Sequence, residues 1–238
     1  MTDVDRLRHA PFEVVGQFAD ASNATLLVKF TDGGGDLAVY KPQRGEAPLG
    51  DFPDGTLHRR EVAAHVVSEL LGWGLVPETV VRDDGPFGVG SLQRFVRHDP
   101  NRHYFAILEE GRADLLDQLR RMVVFDIVID NADRKGGHVL VEEVGDAEWI
   151  RLVDHGVSFN ADRKLRTVAW DFAGQPVPDD LCSEVTALGQ RGSEVREALD
   201  GLLSPIEVGV LLERVRAIAD LAEFPAPIGP RPFPWPLV

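Results

Sequence analysis

The sequence predicts an α+β protein in two lobes, a small antiparallel sheet followed by a mainly helical half. Three observations predict it. Strand-like runs alternate with polar turns up to about residue 96, with one helical stretch among them. A broad apolar stripe at helical spacing then opens the second half, at 112–129. Finally, 238 residues, 44% apolar and 27% charged, can bury one substantial core. The expected division is 1–96 and 97–238, two lobes of one domain.

Residues 12–18 and 25–30 read as strands joined by the polar turn 19–24, a hairpin. The Gly-rich turn 32–36 leads to a third strand at 37–41, which Pro42 is expected to stop. A loop rich in Gly and Pro fills 43–55. Thr56 opens a helix to about Leu71, because Val62, Val66 and Leu70, with Ala63 and Val67, recur at helical spacing and Gly72 marks a stop. Strands at 79–81 and 89–96 flank a turn at 83–86. The polar, Gly-rich stretch 130–138 ends the buried helix, and a hairpin follows at 139–142 and 149–153. Ser204-Pro205-Ile206-Glu207 is a capping-box start with proline in the first helical position, heading a helix to about Ala222. The tail 224–238 carries six prolines, as a polyproline ligand would, but the expected role is a strap across its own domain.

Charge and cysteine content exclude several classes. With 25 basic and 39 acidic residues the net charge is −14, which repels phosphate backbones and anionic bilayers. No nucleic-acid partner and no stable membrane attachment are expected. The single cysteine, Cys182, allows no internal disulfide and no Cys-based zinc cluster, and reads as a small buried hydrophobe. No apolar run approaches the roughly 18–20 residues of a membrane span, and no apolar leader follows the polar N-terminal residues. A cytoplasmic location is expected.

The chemistry gathers at two polar loops. Asp133 follows the buried helix, and Asp154 lies 21 residues later, just past a strand. The short hairpin between them would bring both carboxylates to one end of the sheet. One can accept a hydroxyl proton while the other holds a divalent cation, as phosphoryl transfer requires. Lys41, ending a strand with an apolar inner face, could reach a bound phosphate.

These segments resemble the phosphatidylinositol 3-/4-kinase superfamily, especially its type II 4-kinase branch, and an uncharacterised actinobacterial branch related to it. Asn131-Ala132-Asp133-Arg134 through His138 resembles the catalytic loop, and Val153-Asp154-His155-Gly156 through Phe159 the metal-binding segment. Val39-Tyr40-Lys41-Pro42 resembles the ATP-binding lysine strand, and Arg60-Glu61-Val62 the start of the first-lobe helix. The resemblance implies a two-lobed, protein-kinase-like fold that takes ATP with Mg²⁺ or Mn²⁺ between the lobes. It assigns Asp133 and Arg134 to catalysis, Lys41 to the phosphates, and Glu61 to an ion pair with Lys41. Ser22 and Asn23 would cover the phosphates, and the strand bearing Gln93 and Phe95 would lead to the adenine contact. Asp154 would hold metal with His138, which stands where the family has a metal-binding Asn. The implied function is transfer of phosphate to a protein hydroxyl or a soluble small molecule rather than a membrane lipid. The alternative is a nucleotide-binding pseudokinase scaffold that transfers nothing.

Overall fold

Alternating apolar and polar side chains produce five strands: β1 (Phe12–Gln17), β2 (Leu26–Phe30), β3 (Leu37–Pro42), β4 (Thr79–Gly85) and β5 (Gly88–Arg94). The computed structural model describes residues 3–18, 23–33, 35–227 and 229–238. All pairs are antiparallel, in the order β1-β2-β3-β5-β4. The period of two divides the sheet into two faces. Ala38, Tyr40, Val28, Leu92 and Val80 are buried on one face, with Leu7 of the short helix α1 (Asp3–His9) packed among them. Lys41, Ser91 and Gln93 point to the opposite face, against α2 (Leu57–Leu70). β3 ends at Pro42 as expected, with Pro42 itself the last paired residue, opposite Gly90. The β4–β5 turn falls at Gly85–Gly88, two residues later than expected, past an irregularity after Arg82.

Helix α2 begins and ends as its sequence predicts, but its cap comes from a distance. The Thr56 hydroxyl donates to Pro53 O, while the carboxylate of Glu46, in the Gly/Pro-rich loop, accepts the backbone N–H groups of Leu57 and His58 at 3.1 and 2.8 Å. An acidic group there satisfies orphan donors and faces the positive end of the helix dipole. Gly72 ends the helix at φ 69°, where glycine carries no steric penalty.

The second half contains α3 (Tyr104–Glu110), α4 (Ala113–Ile129), the hairpin β6 (Val139–Val144) and β7 (Ala147–Leu152), then α5 (Asp179–Gln190), α6 (Gly192–Ala198) and α7 (Pro205–Ile218). Leu119, Met122 and Phe125 of α4 share one large core with α5, α7 and the hairpin. Ala63, Ala64 and Val67 of α2 join this same core, so α2 ties the sheet to the helical half. The capping box forms: Ser204 N–H donates to Glu207 Oε2 at 2.8 Å and Glu207 N–H to Ser204 Oγ at 3.3 Å. Helix α7 nevertheless stops at Ile218 rather than Ala222. Among the described residues no helix is long and apolar enough to cross a membrane.

Candidate active site

Four elements far apart in sequence bring their charged side chains to one point. Lys41 sits near the end of β3 and Glu61 in the second turn of α2. The Lys41 Nζ lies 2.5 Å from Glu61 Oε1 and 2.8 Å from Asp154 Oδ1. Burial disfavours the ammonium, but Asp154 and Glu61 outweigh it and hold the lysine charged, above its ordinary pKa. For Glu61 burial is the larger effect and raises its pKa, with the Lys41 charge offsetting part. The other Glu61 oxygen accepts the backbone N–H of His155 at 2.9 Å. Glu61 thus fixes both the lysine and the turn that carries Asp154.

Asp154 occupies the left-handed region at φ 62°, a conformation Asp adopts more readily than most residues. Burial would raise its pKa, yet Lys41 and His138 hold it well below the usual carboxylate range. Its Oδ2 lies 3.3 Å from His138 Nε2. Burial pushes the His138 pKa down to about 4, so the ring is neutral at pH 7. Lys135 N–H donates to His138 Nδ1 at 3.4 Å, which leaves Nε2 as the protonated nitrogen facing Asp154. In that tautomer His138 orients Asp154, and it could ligate a cation only after the proton moves to Nδ1. The Asp154 side chain, 47% exposed, could hold a divalent cation whose other ligands come from phosphate oxygens and water. The described residues contain no cluster of three or more metal-binding side chains.

Asp133 is set in place by its own loop. Its N–H donates to Asn131 Oδ1 at 2.9 Å, and Asn131 Nδ2 donates in turn to Asp126 of α4 at 3.1 Å. Ala132 N–H reaches Val157 O at 2.9 Å, binding this loop to the segment after Asp154. The Asp133 carboxylate lies 3.1 Å from Lys135 Nζ and keeps 30% of its side-chain surface exposed. Burial raises its pKa, partly offset by Lys135.

Arg134 requires a correction. Expected to be catalytic, it is fully buried and points inward. Its Nε and Nη2 each lie 2.9 Å from an oxygen of Asp126, Nη1 is 3.0 Å from Val153 O, and Nη2 is 2.8 Å from His155 Nε2. A guanidinium only donates, so His155 accepts and is neutral, with its proton on Nδ1. Burial, then the charges of Arg134 and Lys41, push the His155 pKa well below its ordinary value. Arg134 is therefore a positioning residue. The buried sequence Asp126–Arg134–His155 continues through the His155 backbone to Glu61 and Lys41, joining α4 to β3.

The remaining expected residues are not drawn into this cluster. Asn23 Oδ1 accepts the N–H of Ala47 at 2.8 Å, tying its turn to the Gly/Pro-rich loop. Ser22 lies outside the described residues. Gln93 is on the Lys41 face of the sheet, with its amide donating to Thr79 Oγ1 at 2.8 Å. Phe95 instead lines a cavity of about 370 Å³ with Arg6, Leu7 and Phe30, on the α1 side. Two contributors went unread in the sequence. His155, flanked by Asp154 and Gly156, had no assigned role; once buried, its imidazole must find a hydrogen-bond partner. Arg60 holds Ser158 O at 2.8 Å and Glu207 at 2.5 Å, bracing the segment after Asp154 against α7.

No family model matches the chain. Protein Rv2133c of Mycobacterium tuberculosis is 41% identical over 257 aligned positions, covering 94% of this chain and 91% of that protein. The chain belongs to its family. Among solved structures it is similar to the Golgi casein kinase with Mn/ADP bound, at TM-score 0.59 and 15% identity over 91% of this chain and 74% of that one. It is also similar to hydra Fam20 with sugar, at TM-score 0.64 and 14% identity, covering 91% and 86%. The Helicobacter pylori proinflammatory kinase CtkA matches at TM-score 0.57 and 13% identity, covering 91% and 94%. These likenesses establish a kinase-like fold. The narrower phosphatidylinositol 3-/4-kinase expectation goes beyond them.

Proposed function

As a member of the Rv2133c family with a kinase-like fold, this chain is, we propose, an ATP- and divalent-metal-dependent phosphotransferase acting on a protein hydroxyl or a soluble small-molecule hydroxyl. One observation carries the reading: the Lys41 ammonium lies between Glu61 and Asp154, from three separate elements, beside the loop that bears Asp133. Lys41 binds the nucleotide phosphates, and Glu61 keeps it aimed at them. Asp133 orients the acceptor hydroxyl and takes its proton, a role that its raised pKa favours. Asp154 holds the cation, with His138 orienting its carboxylate. When bound, the cation neutralises charge on the phosphate oxygens. Gln93 stays in the reading as a cleft-facing residue near the adenine, while Asn23 and Phe95 leave it.

The Mn/ADP-bound casein kinase supports ATP and a divalent metal as the ligands. The charge of −14 favours a soluble acceptor over an anionic lipid surface. The order of the lysine, helix, catalytic-loop and metal segments supports kinship with the phosphatidylinositol 3-/4-kinases in ancestry, not in substrate. A cytoplasmic setting is part of this reading.

The test is phosphate release from ATP with Mg²⁺ or Mn²⁺, measured for wild type, Asp133→Ala and Asp154→Ala. Turnover is expected in wild type and lost in both variants, with ATP still raising the melting temperature of Asp133→Ala. The Nε2 proton of His138, which opposes metal ligation in the present tautomer, favours a second reading, a pseudokinase scaffold. That reading expects ATP to raise the melting temperature of wild type with no phosphate transferred.

A further inference from the structure

The C-terminal segment touches the catalytic loop directly. Leu237 O accepts the Gly136 N–H at 2.7 Å, three residues past Asp133. Pro232 O accepts both the Thr167 N–H at 3.2 Å and the Trp170 Nε1–H at 3.0 Å. Thr167 in turn bridges Arg134 in parallel fashion, so the tail lies across two backbone segments that pair beside Asp133. The approach is close: a Cβ on Gly136 would stand 3.3 Å from Leu237 O, and one on Gly137 would stand 3.7 Å from a Val238 methyl.

The tail is held by its backbone and scarcely by its side chains. Pro234 is buried, but Phe233 is 49% exposed and Trp235 is 87% exposed. Backbone carbonyls on outward N–H groups, with side chains left free, are how an extended peptide docks on an open edge. Prolines at 232, 234 and 236 restrict φ and reduce the entropy lost on seating. The Gly136 and Thr167 donors that an extended acceptor would use are already taken, while Asp133 remains open to solvent.

We infer that Pro232–Val238 occupies the groove in which an extended protein acceptor would lie, and that the acceptor reaching Asp133 is a small hydroxyl compound. The inference rests on the phosphotransferase reading. In the transfer, the acceptor oxygen bonds to the γ-phosphorus and the bond to the β–γ bridging oxygen breaks. ADP leaves, and the hydroxyl proton passes to Asp133. A tethered occupant acts at roughly millimolar effective concentration, so a protein acceptor of equal affinity at roughly 10–100 µM is disfavoured by roughly ten- to a hundredfold.

The test compares the full chain with one ending at Gly229, and with Pro232→Gly/Pro234→Gly, which keeps the length if the shortened chain fails to fold. Three quantities are followed: ATP consumption, phosphate incorporated into casein, and amide hydrogen exchange at Gly136 and Thr167. Loosening the tail is expected to speed exchange at both amides and to raise casein phosphorylation by roughly ten- to a hundredfold. Casein phosphorylation that does not rise overturns the inference, as does unchanged exchange at Gly136. ATP turnover separates the two failures. If ATP is consumed without a gain on casein, only the groove inference falls; if no chain consumes ATP, the phosphotransferase reading falls with it.

Discussion

Replacing Arg134 with methionine removes the most heavily engaged buried cation in the molecule while keeping much of its volume. The guanidinium makes two 2.9 Å contacts to Asp126 and further bonds to Val153 O and His155. Without it, the buried Asp126 carboxylate retains only the Asn131 amide at 3.1 Å among its side-chain partners. Leaving one charge of a buried pair uncompensated costs about 3–5 kcal/mol. That is a large share of the roughly 5–15 kcal/mol that holds a typical domain folded. For a chain of this length it lowers Tm by roughly 6–20 °C. The double variant Arg134→Met/Asp126→Leu removes both charges and is expected to recover at least half of the loss. Urea unfolding followed by circular dichroism, on both single variants and the double, measures the coupling. A single-variant loss below about 1 kcal/mol would refute this account. So would a double variant less stable than Arg134→Met, because the pair would then not be the source of the cost.

Three further outcomes follow from the same contacts. His155 is buried neutral, with its folded pKa well below 6.5, so the unfolded chain binds a proton that the folded chain refuses. Stability is then fully present above pH 6.5 and falls below it, by up to about 1.4 kcal/mol per pH unit. The difference between wild type and His155→Gln in urea melts should shrink from pH 7 to pH 5, and parallel curves would remove His155 from that role. Gly90→Ala places a methyl 2.4 Å from Lys41 O and 2.8 Å from Pro42 Cα, so it should cost about 1–3 kcal/mol in urea melts. Gly209→Ala, in α7 with nothing within 4 Å, should instead stabilise by about 0.5–1 kcal/mol, and equal effects at the two sites would discredit the packing argument. Lys41→Met deletes the cation between Glu61 and Asp154 and should weaken ATP binding about 10- to 100-fold by calorimetry, the worth of a charge-assisted hydrogen bond. Unchanged affinity would mean that Lys41 does not meet the phosphates.

Local pattern was enough for much of this molecule. The spacing of Val62, Val66 and Leu70 predicts α2, the stripe at 112–129 predicts α4, and the Ser204 capping box forms as written. Lys41 and Asp154 stand at strand ends that the sequence marks, whereas Glu61 joined them only through the resemblance of Arg60-Glu61-Val62 to a kinase first-lobe helix. Helix α1 was missed because a seven-residue helix has too few apolar positions to show a period. Its place depends on Leu7 meeting the back of the sheet, a contact that local spacing does not encode.

The sequence by itself determined the kinds of element, their order, and the residue types available for phosphate chemistry, since these follow from periodicity, turn residues and charge along the chain. Only the tertiary structure decided which way loop side chains point. Arg134 and Asp133 are neighbours in an aperiodic loop, yet one is buried on Asp126 and the other opens to solvent. The structure likewise decided that the tail lies on Gly136 and that His138 donates toward Asp154. Each outcome depends on desolvation and hydrogen-bond partners supplied from tens of residues away or by the packed loop itself, and no local pattern carries that information.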